Sequence, residues 1–554
     1  MEQVEIFCEN TGKSYPIEIG STLREVKKVI FPQNHNHIQG ALVNNELQDL
    51  QYIIMNPKQV NFIDVSSLDG YSIYTRSLLF VLYKAVNRLF QHQPMVAEYH
   101  ISNGIFCRMT DKDLPLTAET IGKIRSTMQE IIQQDLPIVR KEIPTAQAIP
   151  LFQQAGLEDK RKLLETRGRL YTSVYYIENT PDYFYGTLAP STGSLKIFGL
   201  EPYKDGMLLR LPDRKNPSEL LPLIPQDKLF QVFNEYKHWG KIMEINDIGT
   251  LNKIVDNKYA GVMIKISEAL HEKKISLIAD QISSQRDKIK VILIAGPSSS
   301  GKTTFSKRLS VQLMVNGLKP VNLSLDNYFV NREDTPRDEN GEYDYESIDA
   351  LDIVTFTDNM LRLMRGEEVE PPKFSFETGQ RFYSGEKLKI NANNVIIVEG
   401  IHGLNPRLTS LLPEESLFKI FVSALTSISI DNHNIINPAD NRLLRRMVRD
   451  YKYRNYSALD TLKRWESVLK GEEKHIVPYQ EEADIMFNSA LIYELGALKQ
   501  QAEPLLREVM ELYPEHSKAL RLLKFLSYIK VVPARDIPNT SILREFLGGS
   551  SFKY

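Results

Sequence analysis

The sequence is poor in the features that mark several large classes of protein. It has only two cysteines, Cys8 and Cys107, in 554 residues. These are too few for a disulfide scaffold and too far apart for a metal-ligand cluster, so a reducing compartment is expected. No apolar run approaches the roughly 20 residues that span a bilayer, and the opening M-E-Q-V-E-I-F lacks a basic segment followed by an apolar one. A cytoplasmic location is therefore expected, with no membrane partner. Neither sign of charge dominates: 68 Lys and Arg against 70 Asp and Glu leave a net −2. That argues against bulk attraction to nucleic acid, while leaving room for a local basic patch. What is present, 42% hydrophobic and 25% charged residues, is the composition of a globular chain with ample core. The length suggests roughly three to four domains, and nothing in the sequence sets an oligomeric state.

The most informative stretch runs from Val291 to Thr304 and reads V-I-L-I-A-G-P-S-S-S-G-K-T-T. Five apolar residues suit a buried parallel strand, and Gly296 then opens a loop of the form G-x-x-x-x-G-K-[ST]. Gly296 and Gly301 let the backbone turn where a Cβ would clash. The N–H groups of Pro297's successors, Ser298, Ser299, Ser300, Gly301, Lys302, Thr303 and Thr304, can then point at phosphate oxygens, beside the N-terminus of a helix expected over Phe305–Met314. Lys302 would reach the β- and γ-phosphates of ATP, and the Thr303 hydroxyl would hold Mg²⁺.

Two further apolar runs end on acids. V-N-L-S-L-D ends at Asp326 and N-V-I-I-V-E-G places Glu399 at its end. In a doubly wound sheet the carboxyl ends of strands face the ligand crevice, so both carboxylates would point at the phosphates. An Asp there can accept the proton of an attacking hydroxyl, and both acids can help bind Mg²⁺. Later in the chain, Arg442, Arg445, Arg446 and Arg449 fall three or four apart on a helix expected over 442–451, with Asp450 the only acid in the run. Such a group of guanidinium ions suits a transferring phosphoryl group.

With G-P-S-S-S-G-K-T-T, L-D-N-Y-F, Y-D-Y-E-S-I-D-A-L-D (343–352), P-P-K-F-S-F (371–376), V-E-G-I-H-G and N-R-L-L-R-R-M-V-R-D (441–450) in this order, the region resembles the uridine kinase and phosphoribulokinase branch of the P-loop kinases. The resemblance implies transfer of the γ-phosphoryl group of ATP to a nucleoside 5′-hydroxyl, or to a sugar or sugar phosphate. It implies Asp326 as catalytic base, Glu346 as a ribose ligand, Arg381 as a substrate-side arginine, and Arg446, Arg449 and Arg454 as lid arginines over the phosphates. Where pyrimidine nucleoside kinases carry Tyr, Tyr and His in the nucleoside pocket, this chain has Phe329, Phe374 and Gly379, and a further lid arginine falls on Tyr456. Aromatic faces remain, but the donors that would select uracil or cytosine do not.

The N-terminal half reads differently. Short alternating runs around a helical S-T-L-R-E-V-K-K-V-I, with A-L-V-N-N-E-L-Q-D-L and a strand before Asp64, resemble the ubiquitin-like TGS domain of threonyl-tRNA synthetases. A helix over 78–90, the strand I-S-N-G-I-F-C-R-M and G-T-L-A-P-S-T-G-S-L-K-I-F (186–198) resemble the second N-terminal domain of those enzymes and the related alanyl editing domains. In that family two helix histidines and a Cys/His pair form an editing site. The helix here has no histidine, and the Cys and His positions fall on Phe184 and Leu188, which neither ligate a metal nor activate water. His92, His100 and His238 read as isolated histidines and Trp239 as a packing residue.

The expected organisation is a TGS-like domain (1–65), an editing-like domain without its site residues (66–225), a helical connector (226–287), an α/β P-loop kinase with a doubly wound parallel sheet (288–500) and a helical tail (501–554). The connector helix carries apolar residues from Ile264 to Ile282, with Glu268 and Lys273 expected outward. The tail, with helices expected over 502–512 and 517–529, shows no chemistry of its own. An RNA-associated ATPase regulator is the alternative to a small-molecule kinase, and the missing basic-aromatic stripe weighs against it.

Overall fold

The computed structural model describes residues 2–32, 37–91, 93–110, 116–338, 341–375, 377–391 and 393–554. His92 and Phe376 lie outside the described residues.

At the start, Thr22 caps a helix over Leu23–Ile30 reciprocally with Glu25, as the T-L-R-E spacing suggests. That helix covers a five-stranded sheet in which Gln3–Cys8 and Lys58–Ile63 run parallel at the centre. The arrangement is that of a small β-grasp unit, with Ile6, Leu23, Val26 and Val60 in its core.

The next region is built on a 22-residue helix, Leu68–Leu89, ten residues longer at its start than its apolar run suggests because Ser67 caps it there. A four-stranded antiparallel sheet and a three-stranded one pack around it. Phe184 and Leu188 are buried, and the Phe184 ring lies 5.5 Å from that of Phe80 on the helix. Arg76, one turn earlier, donates to the Thr187 carbonyl at 3.0 and 3.2 Å. A Cβ on Gly186 would sit 2.4 Å from the Arg76 guanidinium carbon. The place that resembles an editing site is thus closed by packed side chains.

Three helices, Asp227–Ile242, Ile248–Asp256 and Ala260–Ser283, follow. Trp239 packs on Tyr236 with ring centroids 4.1 Å apart. His238 and Lys273 are exposed. Glu268 is not outward as its spacing suggests: it is buried, accepts from the Tyr493 hydroxyl at 2.7 Å and lies 3.5 Å from Arg308. A helical wheel cannot reveal that the opposite wall supplies a cation and a hydroxyl for this carboxylate.

The C-terminal half contains a five-stranded parallel sheet, ordered Lys319–Ser324, Asn394–Glu399, Val291–Ala295, Leu417–Ser423, Ile485–Asn488. Alternation along the central strand divides two cores. Ile292 and Ile294 join Phe305, Leu309 and Leu313 on one face, while Val291, Leu293 and Ala295 join Leu325, Phe356 and Met360 on the other. Burial on both faces explains the unbroken apolar run. Tail helices form at Glu494–Arg507 and His516–Leu526, and a short turn of helix at Arg544–Leu547 returns to the sheet's ligand-facing end. Among the described residues no helix is long and apolar enough to cross a membrane.

Candidate active site

The central strand delivers the chain to Gly296, whose φ is +155° and whose missing Cβ would lie 1.9 Å from the Val422 carbonyl oxygen. No other residue fits that close approach. Gly301, at φ +82°, ends the loop and begins the helix Lys302–Val315 without a side-chain cap. The Ser299 and Ser300 hydroxyls are buried and have no hydrogen-bond partner among the described residues. Unpartnered hydroxyls beside a helix start that Gly301 does not cap are donors a phosphate chain would satisfy.

Lys302 Nζ donates to the carbonyls of Gly296 and Pro297 at 2.9 and 3.0 Å, so its ammonium lies inside the loop. Thr303 donates to Glu399 Oε1 at 3.1 Å. These two oxygen groups, with the Asp326 carboxylate near enough to repel Glu399, suit a cation that takes one or two protein oxygens and keeps several waters.

Asp326 follows its strand in a tight turn, Leu325–Tyr328, and Glu399 ends the adjacent strand. Burial pushes the Asp326 carboxyl up, against the pull of Lys302, Arg454 and Arg449. Burial also pushes Glu399 up to about 7, with Asp326 and Glu545 adding repulsion and Lys302 opposing. Glu346 rises to about 7 through burial and the nearby Glu472, against Arg446 and Lys302. The cleft therefore gathers carboxylates that a cation and a substrate hydroxyl would relieve.

The arginine helix runs over Pro438–Arg454, longer than its expected span. Its four arginines on one broad face do different jobs. Arg442 is buried in a two-pronged pair with Glu472 at 2.6 and 2.7 Å, and Glu472 also accepts from the Ser298 amide. Arg445, fully buried, pairs with Glu494 and donates to Ser489. Both brace the loop from behind. Arg446 faces the cleft and donates to Ser298 Oγ at 3.0 Å. Arg446, Arg449 and Arg454 share the single buried Asp450, at 3.2, 2.9 and 3.4 Å. Three cations on one carboxylate leave positive charge to spend on phosphate oxygens.

On the acceptor side, Phe329 and Phe374 lie 5.6 Å apart over a small apolar cluster of Ile348, Ala350 and Leu351. Gly379, at φ +70°, leaves its space to Arg332, whose Nε would be 2.6 Å from a Cβ there. Arg381, on the hairpin of Lys373–Ser375 and Gln380–Phe382, is not drawn to the carboxylates of the centre: it pairs at 2.5 Å with Asp352, which caps the helix Ile353–Met364. The sequence reading passes over Glu545, whose carboxylate reaches Thr304. Nothing in the tail's composition signals it.

The sheet order, the glycine loop and the acids at adjacent strand ends define a P-loop kinase domain. Residues 291–492 match the model of the "Phosphoribulokinase / Uridine kinase family", so the C-terminal half carries a domain similar to that family. The N-terminal region is similar to threonine–tRNA ligases. That of Methylobacillus flagellatus is 31% identical over 162 residues, 29% of this chain and 25% of the ligase. That of Thermotoga maritima is 31% identical over 191 residues, 34% and 29% of the two chains. The chain thus spans between a quarter and a third of the length of these two ligases. A structure of a possible uridine kinase from Bacillus stearothermophilus shows a TM-score of 0.27 at 17% identity, covering 39% of this chain and 98% of that one.

One consequence of the crowded carboxyls concerns stability. Glu346 keeps its proton to about 7 in the folded protein, against an ordinary value of 4.5. The folded state therefore binds more protons than the unfolded chain across that window, so stability falls as pH rises through it. Thermal melts without nucleotide should show a higher midpoint near pH 5.5 than near pH 7.5, and Glu346→Gln should reduce the difference while Glu399, raised into the same range, keeps part of it. An unchanged slope in the variant would mean that Glu346 is not the group responsible.

Proposed function

We propose that the protein is an ATP- and Mg²⁺-dependent kinase that transfers the γ-phosphoryl group to a hydroxyl of a nucleoside, with a sugar or sugar phosphate as the alternative acceptor. The observation that carries this reading is the set of contacts about the loop: Lys302 turned onto the Gly296 carbonyl, Thr303 on Glu399 at the end of the adjacent strand, and Arg446 from a separate helix on Ser298. The amides from Ser298 to Thr304 and Lys302 would hold the triphosphate, and Thr303 with Glu399 and Asp326 would hold Mg²⁺. When bound, the metal would offset charge on the phosphates. Asp326 orients the acceptor hydroxyl and takes its proton, helped by the raised affinity for protons that burial gives it. Arg446, Arg449 and Arg454 stabilise charge on the transferring group.

Phe329 and Phe374 offer an apolar wall, and Glu346 a carboxyl for ribose hydroxyls. Without hydroxyl or imidazole donors in that wall, the base of a nucleoside would be held by stacking rather than read by hydrogen bonds. The similarity to threonine–tRNA ligases supports a second reading, an RNA-associated ATPase in which no small molecule is phosphorylated.

An ATP-consumption panel separates the two. Purified protein is offered nucleosides, free sugars and ribulose 5-phosphate, with Lys302→Ala as blank. Consumption that depends on one acceptor class supports the kinase reading. Hydrolysis that appears only with tRNA would replace it by the second.

A further inference from the structure

The helix after the phosphate loop begins at Lys302 and has no side-chain cap from Gly301. Its first-turn amides need acceptors from elsewhere. One is supplied from far along the chain. Glu545 Oε2 accepts from the Thr304 amide at 3.3 Å and from the Thr304 hydroxyl at 2.6 Å. The Tyr554 hydroxyl lies 2.9 Å from the same Thr304 oxygen. Ile542 Cγ2 would be 2.6 Å from a Cβ on Gly301, so the tail lies directly on the loop's end. Ser300, Gly301 and Thr304 are buried as a result.

The amides at this helix start are those a P-loop gives to the α- and β-phosphates. A carboxylate oxygen and a phosphate oxygen are both anionic acceptors, and the two cannot share one donor at hydrogen-bond distance. We propose that the tail is a built-in competitor of the nucleotide: Glu545 occupies the cradle of the α/β-phosphates and must leave it for ATP to seat. This rests on the reading of the loop as a nucleotide site.

The same segment is tied to the arginine helix. Lys452 donates to the Leu547 carbonyl at 2.7 Å, and the Arg445 guanidinium lies 5.1 Å from the centre of the Phe546 ring. Leu543, Phe546 and Leu547 are buried. The tail is thus anchored by its apolar residues while its charged side chain holds the cradle.

The test is calorimetric binding of ADP, inorganic triphosphate and adenosine, with Mg²⁺, to the full chain and to Glu545→Gln. The variant should bind ADP and triphosphate at least about fivefold more tightly, the lower end of ordinary coupling, and adenosine no differently. Glu545→Ala should show the same gain if competition, rather than a new contact from Gln, is responsible. Melting curves of nucleotide-free protein confirm that each variant is folded. Equal or weaker binding of ADP by both variants would overturn the competitor while leaving the nucleotide site intact. No binding of any phosphate compound by any form would overturn the reading of the loop and the competitor with it.

Discussion

Asp326→Asn is expected to reduce turnover by about 10³-fold, within the range for loss of a positioned general base, and to leave the protein as stable as before or more so. The two effects have one cause. Burial makes the ionised Asp326 costly, and Lys302, Arg454 and Arg449 only partly offset it. An amide of the same shape carries no charge to desolvate, so it removes the penalty together with the proton acceptor. Raised carboxyl affinity for protons means that the wild-type protein loses stability as pH rises through the Asp326 titration. The melting-point advantage of the variant should therefore grow toward neutral pH. Turnover and melting midpoint measured on one preparation check both halves. A variant that keeps near-normal turnover would remove Asp326 from the role of base.

Lys160→Met is expected to give the largest loss of stability, about 3–5 kcal/mol, the usual result of leaving buried partners without their counter-charge. Lys160 has no exposed surface and lies 2.9 Å from both Asp182 and Asp431, which are equally buried. Burial works against its charge, but Asp182, Asp431 and Asp159 together hold its proton more firmly than usual. His433 completes the group, its Nδ1 2.8 Å from Asp182. Asp159 accepts from the Asn432 amide at 2.7 Å. The cluster ties the editing-like region to the segment that leads into the arginine helix. In Lys160→Met the acids would hold protons to higher pH than in the unfolded chain, so the loss should be smaller near pH 5 than near pH 8. Chemical denaturation at both values checks this. A variant as stable as the parent at pH 8 would mean the cluster contributes nothing net.

These effects also show which parts of the molecule were open to sequence reading. The glycine loop, the strand before it and Glu399 at a strand end are local patterns that fell where their spacing indicated, whereas Asp326 lies two residues past the end of its strand, in the turn that follows. Gly296 could be recognised because the loop demands it, although its contact with Val422 could not. Ion pairs and hydrogen bonds that close over long stretches left no such mark. Lys160 meets Asp431 across 271 positions and Thr304 meets Glu545 across 241. The face of four arginines was legible as a face. That Arg442 and Arg445 brace the loop while Arg446 and Arg449 look into the cleft depends on Glu472 and Glu494, acids from two other helices. Helix ends followed the same rule: the reciprocal cap of Thr22 and Glu25 is written in four residues, whereas the buried setting of Glu268 depends on Arg308 and Tyr493.

The central claim is phosphoryl transfer to a small-molecule hydroxyl, and the fate of the γ-phosphate tests it most directly. ATP labelled at that phosphate is incubated with the protein and the nucleoside, sugar and sugar-phosphate panel, and labelled products are separated and identified by mass. The account predicts label on a hydroxyl of one acceptor class, abolished in Lys302→Ala and Asp326→Asn. Label found only in inorganic phosphate, whatever acceptor is present, would contradict it.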